Sequence, residues 1–283
     1  MAQMTGPTLI RRGRPPSNDV VLKHVGLLGG MDYLAARYRQ QTFPRHFHHE
    51  YLIGIIESGV HDVWCRGDWW HAQAGWVATF APGEPHHGGA GSEHGWSQKI
   101  FYLPEQLVRE VLRDPDGGAR ATPAFATPFH YDPDLARRLR RLWDLLESGA
   151  SELAIEERVH AVLPELFMRY GAWEHCAVTV APAGLYQVRD YIHAHSAELI
   201  RLNDLARLAR LSKGSLIASF KARFGLSPGR YLIQVRVDEA KHLLTGGTDI
   251  ADVASAVGFA DQSDLTRHFR AILGVTPARY IAV

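Results

Sequence analysis

The chain has 283 residues, of which 46% are hydrophobic and 22% charged, with 31 Lys+Arg against 30 Asp+Glu for a net charge of +1. Such composition excludes a disordered or fibrous chain, the length suits about two domains of ~100–200 residues, and the charge balance by itself gives no sign of a nucleic-acid or acidic-membrane partner. Two cysteines, Cys65 and Cys176, exclude a disulfide-stapled scaffold. The arginines at 11, 12 and 14 are not followed by a signal-peptide core, and no apolar run reaches the ~18 residues of a membrane span. A soluble, cytoplasmic protein is expected.

Residues 1–20, with Gly6, Pro7, Gly13, Pro15 and Pro16 and no periodicity, read as a flexible tail. From about 30 to 103 the pattern is strand-like: short runs such as 51–56, 61–66 and 76–80 lie between Gly54, Gly59, Gly67, Gly75, Gly83 and the glycines of 88–91. That spacing predicts a small β-barrel or sandwich. Helices are expected at 105–112, at 134–146 and, capped by Ser151, at 151–170. These complete one domain over 21–170. In 134–146, Leu135, Leu139, Leu142 and Leu146 form a stripe opposite an arginine-rich face. The stripe is a dimerisation candidate, weighed equally against packing on the helix's own barrel. Residues 171–184, with Pro182, are the expected linker, and 185–283 reads as an all-α domain.

An internal repeat organises this last third. Leu216, Phe220, Lys221, Gly225, Ser227, Pro228 and Tyr231 recur 49 residues later as Leu265, Phe269, Arg270, Gly274, Thr276, Pro277 and Tyr280. Upstream, Leu205-Ala206 matches Val253-Ala254 at an offset of 48. One register for so many matches indicates a duplicated supersecondary unit. In the first copy Asn203 or Asp204 is placed to cap a short helix, Arg210-Leu211 to turn the chain, and Ser212 to cap a second helix ending at Gly225. Ser227-Pro228 then opens a longer helix reaching Gly246-Gly247. In the second copy Gly258-Phe259 makes the turn and Asp261 opens the second helix. Each copy is a helix-turn-helix, and two units on one connecting helix suit successive major grooves of a duplex.

These motifs, Gly225-x-Ser227-Pro228-x-x-Tyr231, Ala240-x-x-Leu243-Leu244, Ile250-x-x-Val253-Ala254, Gly258-Phe259-x-Asp261-x-Ser263 and Gly274-x-Thr276-Pro277-x-x-Tyr280, resemble the DNA-binding domain of the AraC/XylS family of bacterial transcription regulators. The resemblance covers about a third of the chain. It implies DNA contacts from Ser212, Lys213, Ser215, Ile217, Lys221 and Arg223 in the first unit, and from Gln262, Ser263, Thr266, Arg267 and Arg270 in the second. Where the family often carries long polar residues, the first unit has Gly214, Ile217 and Ala218. These cannot form bidentate bonds to bases, so discrimination is expected to rest on the second unit while Lys213, Lys221 and Arg223 hold phosphates. Residues 185–283 carry 13 Lys+Arg and 9 Asp+Glu, and residues 1–184 carry 18 and 21. Near-neutrality is therefore the average of a mildly basic half and an acidic one.

Residues 46–96 hold eight of the sixteen histidines and five of the seven tryptophans. In Pro44-Arg45-His46-Phe47-His48 two histidines share one face by strand alternation, and Pro82-Gly83-Glu84-Pro85-His86 returns a third. These features resemble the cupin-type effector-binding domain of the same family. The expected pocket comprises His46, His48, Trp64, Arg66, Trp76, Phe80 and His86, with Arg66 suited to a carboxylate or phenolate. The carboxylate that would complete a cupin metal site after His48 is missing, because Leu52 and Ile53 stand there. No metal, cofactor or catalytic residue is therefore expected. The resemblance implies a ligand-responsive regulator, activating rather than repressing, with promoter DNA, a small-molecule effector and RNA polymerase as partners, a homodimer and no membrane. Two other readings are a metal-dependent cupin enzyme fused to a helical domain, and a DNA-binding protein whose barrel only dimerises.

Overall fold

The computed structural model describes residues 19–26, 29–112, 123–172 and 183–281. Short β-prone runs between glycine turns fold as β1 (Asp19–Val25), β2 (Met31–Tyr38), β3 (Thr42–His46), β4 (Tyr51–Cys65), β5 (Asp68–Gln73), β6 (Trp76–Phe80), β7 (His86–Ala90) and β8 (Trp96–Leu103). There follow α1 (Glu105–Val111), β9 (Ala124–Phe125), β10 (Phe129–Tyr131), α2 (Pro133–Glu147), α3 (Glu152–Tyr170) and β11 (Gly171–Ala172). β1 begins two residues inside the span read as a tail, whose residues 1–18 lie outside the described ones. Most of the expected linker, 173–182 with Cys176, also lies outside them.

The strands form an open, barrel-like arrangement in the order β1-β2-β8-β4-β6-β10, with β3, β7 and β5 completing a second layer. β4 belongs to both layers: its first half pairs with β6 and β8 and its second with β5 and β7. The register shifts between Ile56 and Ser58, a bulge that bends the strand from one layer into the other. Gly59 follows at φ 73°, where a Cβ would meet the Gly95 carbonyl oxygen at 2.0 Å.

Helices α2 and α3 close one side of the barrel. Asp132 caps α2 by accepting from the Leu135 amide at 2.9 Å, and Ser151 caps α3 as expected. Leu135, Leu139, Leu142 and Leu146 are all buried with Ile53, Phe101, Val159 and Phe167 in the domain's own core. The stripe is therefore consumed within the chain and is not a free dimerisation face. Of the opposite face, Arg137 pairs with Asp134, Arg138 with Glu165 and Arg140 with Glu57.

The C-terminal domain comprises α4 (Ala183–Ala194), α5 (Leu202–Ala209), α6 (Lys213–Phe224), α7 (Pro228–Thr245), α8 (Ile250–Ala256), α9 (Gln262–Leu273) and α10 (Pro277–Ile281). The sequence repeat is a structural one: Leu216, Phe220, Leu265 and Phe269 are fully buried, and Gly225 and Gly274 both end their helices at φ 76°. Ser212 and Asp261 cap α6 and α9. Asn203 and Asp204 lie inside α5, whose N-cap is Arg201 without a side-chain bond, and Arg210 makes the turn at φ 54°. No helix among the described residues is long and apolar enough to cross a membrane.

Both units dock on the barrel. Phe47, 2% exposed, leaves the barrel to join the core of the first unit beside Leu185, Val188, Phe220 and Tyr231. Buried residues of α7 to α10 share one apolar cluster with the barrel's Leu34, Ala36 and Tyr38. The two helix-ending glycines are both contact points: a Cβ on Gly225 would lie 2.0 Å from Pro85, and one on Gly274 2.7 Å from the Tyr38 hydroxyl. Between them Lys241 Nζ, buried, lies 2.6 Å from Glu50 and 3.6 Å from Asp32, which also accepts from the Tyr280 hydroxyl.

Candidate effector pocket and DNA-facing helices

The barrel interior holds a cavity of about 50 Å³. Before the β4 bulge Leu52, Gly54 and Ile56 face it; after the bulge His61 and Val63 do. Tyr38, Phe43, Phe80, Ile100, Tyr102 and Phe129 supply apolar and aromatic wall, and Gln98 a buried amide that accepts from Trp96 Nε1 at 3.0 Å. The last wall comes from the other domain: Ile272 and Leu273, at the C-terminal end of α9.

His46, His48 and His86 are buried and gathered in this cavity, with ring centroids 4.5 to 5.4 Å apart. His46 ends β3 and is the cross-strand partner of His86 at the start of β7. Each of these two donates from Nδ1 to a local carbonyl, His46 to Pro44 at 2.8 Å and His86 to Glu84 at 2.9 Å. Burial pushes the His46 pKa down to about 4 and those of His48 and His86 well below the usual range, because a buried imidazolium loses its hydration. His61, stacked on Trp96, is pushed down to about 3 for the same reason. All four are neutral rings near pH 7.

Four of the seven residues expected in the pocket, His46, His48, Phe80 and His86, are there. Trp64, Arg66 and Trp76 are not. Unbroken alternation from Leu52, Gly54 and Ile56 would turn Trp64 and Arg66 inward, but the bulge reverses the faces beyond it. Trp64 instead stacks on His87 and carries Arg45 over its ring at 4.4 Å. Arg66, at φ 56° in the β4–β5 turn, pairs with Glu84 and donates to the Phe125 and Ala126 carbonyls. Trp76 packs against Tyr131. Sequence reasoning missed Gln98 and Tyr102, whose signal was the alternation along β8, and His61, which faces inward only because of the bulge. It also missed Ile272 and Leu273, for which no local signal exists.

On α6, Lys213, Ser215, Ile217 and Lys221 are exposed. Ser212 accepts from the Ser215 amide at 3.1 Å and donates to its hydroxyl at 2.9 Å. Arg223 is half-buried and donates to the Tyr186 hydroxyl. On α9, Gln262, Ser263, Arg267 and Arg270 are exposed and Thr266 half-buried, with Arg267 held 2.5 Å from Asp264. This face of α9 looks across an open groove at Gln41 and Thr42, where β2 turns into β3.

Comparison with known proteins agrees with this division. Residues 28–163 match the AraC-like ligand binding domain, and residues 205–282 match a helix-turn-helix domain. The chain is 29% identical over 230 residues to the uncharacterized HTH-type transcriptional regulator YbfI of Bacillus subtilis, covering 80% of this chain and 82% of that protein. It is 23% identical over 256 residues to the HTH-type transcriptional activator RhaS of Yersinia pestis, covering 86% and 91%. In fold it is similar to ToxT from Vibrio cholerae, with a TM-score of 0.55 at 11% identity over 94% of this chain and 97% of that one. A structure of ToxT with a bound unsaturated fatty acid gives 0.56 at 14% identity, covering 93% and 94%. The chain belongs to the AraC family of transcription regulators, a ligand-binding barrel joined to a DNA-binding helix-turn-helix domain.

Proposed function

We propose that an effector entering the barrel controls promoter binding by displacing the second recognition helix from the sensor. The observation that carries this is the shared wall. Ile272 and Leu273 close the pocket, and the helix they end presents Gln262, Ser263, Thr266, Arg267 and Arg270 on its outer side. Pockets that bind organic ligands run to ~300–1,000 Å³, far more than the 50 Å³ present here. In this scheme a molecule of that size makes room by pushing α9, the wall that belongs to the other domain, outward, and ligand volume becomes helix displacement. Such a ligand favours the open arrangement by as much as it binds the open state better. The arrangement described is the closed one, with the β2–β3 turn standing across from the DNA-facing side of α9.

In this scheme α9 reads bases and α6 mainly holds phosphates through Lys213 and Lys221, with Ser212, Ser215, Ile217 and Arg223 near the same backbone. The largely apolar and aromatic wall suits a largely apolar molecule, and the unsaturated fatty acid of the bound ToxT structure is of that kind. The pocket binds rather than catalyses: Glu50 is turned to Lys241 and Glu84 to Arg66, so neither faces the histidines as a general base. The regulator acts in the cytoplasm as a homodimer and activates through RNA polymerase, as the name of RhaS suggests for that relative. Footprinting of DNA upstream of this gene and its neighbours, with and without aromatic and fatty acids, tests the scheme. An acid-dependent protected site is expected. No protection at low salt, or protection that no pocket substitution alters, overturns it.

A further inference from the structure

We infer that His46, His48 and His86 form a site for a late first-row divalent cation, with Zn²⁺ as its probe, on the inner wall of the pocket. One ring nitrogen from each histidine lies within 4.8 Å of the others. Zinc–imidazole bonds of ~2.0–2.1 Å at the tetrahedral angle place such atoms about 3.3 Å apart, so small ring rotations close the shell. The tautomers are already set. A carbonyl can only accept, so His46 and His86 carry their proton on Nδ1 toward Pro44 and Glu84, and each Nε2 is a bare lone pair. A backbone acceptor behind the ring is the usual outer support of a metal-bound histidine. Among the described residues no protein group hydrogen-bonds either Nε2 atom or the His48 ring.

Cross-strand pairing of His46 with His86 holds two ligands on rigid backbone. No carboxylate completes the set, since Glu50 and Glu84 are paired elsewhere. Three neutral imidazoles suit Zn²⁺, Cu²⁺, Ni²⁺ or Co²⁺ rather than Mg²⁺ or Ca²⁺. They leave a cation its full double charge and an open fourth position, and 50 Å³ holds its water or a small anion. The site is wired to both DNA-binding units. Phe47, between two of the ligands, sits in the core of the first unit, Pro85, next to the third, touches Gly225, and Ile272 and Leu273 face the same cavity. The regulatory consequence of binding, though not the site itself, rests on the function proposed above.

The test uses the full chain, stripped with a chelator and titrated with Zn²⁺ against a chromophoric competitor. One ion per chain is expected, and Co²⁺ should give the strong visible absorption of four-coordinate geometry, a readout that needs no variant. His48→Gln and His86→Gln should each weaken Zn²⁺ by more than ~100-fold, beyond the ~10–100-fold that loss of an outer partner costs. His94→Ala, at an exposed position, should leave it unchanged. No stoichiometric binding, or binding that survives both substitutions, overturns the site. DNA titrations on the same samples separate the two ideas. An organic effector that still shifts DNA affinity in a chain without Zn²⁺ binding overturns the metal site and leaves the proposed function intact. Stoichiometric Zn²⁺ with no effect on DNA affinity upholds the site and overturns its regulatory use.

Discussion

Phe47→Ala is the substitution that isolates communication between the sensor and the first DNA-binding unit. Phe47 is 2% exposed and packs 5.3 Å, ring to ring, from Tyr231, in a cluster otherwise drawn from α4 to α7. Truncating a buried phenylalanine costs ~3–5 kcal/mol through lost transfer free energy and the cavity left behind. Here Leu185, Val188, Phe220 and Tyr231 still pack on one another when the ring is removed. The lower end, about 3 kcal/mol, is therefore expected, and it falls on docking rather than on either domain's own fold. At ~1.4 kcal/mol per tenfold, that lowers the closed-to-open ratio by about two orders of magnitude. Denaturant unfolding should show the loss, and fluorescence anisotropy with promoter DNA should show effector-free affinity rising toward the effector-bound value. Phe47→Leu should restore most of both. A variant within 1 kcal/mol of the parent that keeps its full effector response would refute the reasoning.

Lys241→Met should strip the buried cation from Glu50 and Asp32. Removing one partner of a buried pair costs ~3–5 kcal/mol, and Glu50 is partly exposed, so about 2–3 kcal/mol is expected; a double-mutant cycle with Glu50→Gln that gives no coupling would contradict the pairing. Arg267→Ala should cost ~1–3 kcal/mol and relax base preference at one operator position, whereas Lys221→Ala should weaken all sequences alike and lower the salt slope by about one. Competition binding on a substituted operator series separates these, and a uniform loss for Arg267→Ala would remove it from base reading. Stability should fall on acidification. Burial holds His61 at about 3 and His130 at about 4 in the folded chain, against ~6.5 when unfolded. Below pH 6.5 the unfolded chain binds protons that the native state refuses, so unfolding free energy declines from pH 6.5 toward pH 4. Urea midpoints that rise over that interval would reverse the assignment.

What the amino-acid sequence determined by itself was local. The repeat, the caps at Ser151, Ser212 and Asp261, and the left-handed ends at Gly225 and Gly274 depend on hydrogen bonds and dihedrals within a few residues, so they are legible in order along the chain. The histidine gathering was legible for the same reason, through strand alternation at His46 and His48 and a turn before His86. Tertiary structure alone decided which faces meet. The bulge at 56–58 reversed the inward face of β4 and took Trp64 and Arg66 out of the pocket, an event that costs one residue of register and leaves no compositional mark. The leucine stripe of α2 fits a partner or its own barrel equally well as a pattern, and only packing chose the barrel. Phe47, Ile272 and Leu273 read as ordinary apolar residues of their own domains. Their role as the joint between sensor and DNA-binding helices arises from docking between segments far apart in the sequence, because apolar burial is non-directional and names no partner until two surfaces close on each other.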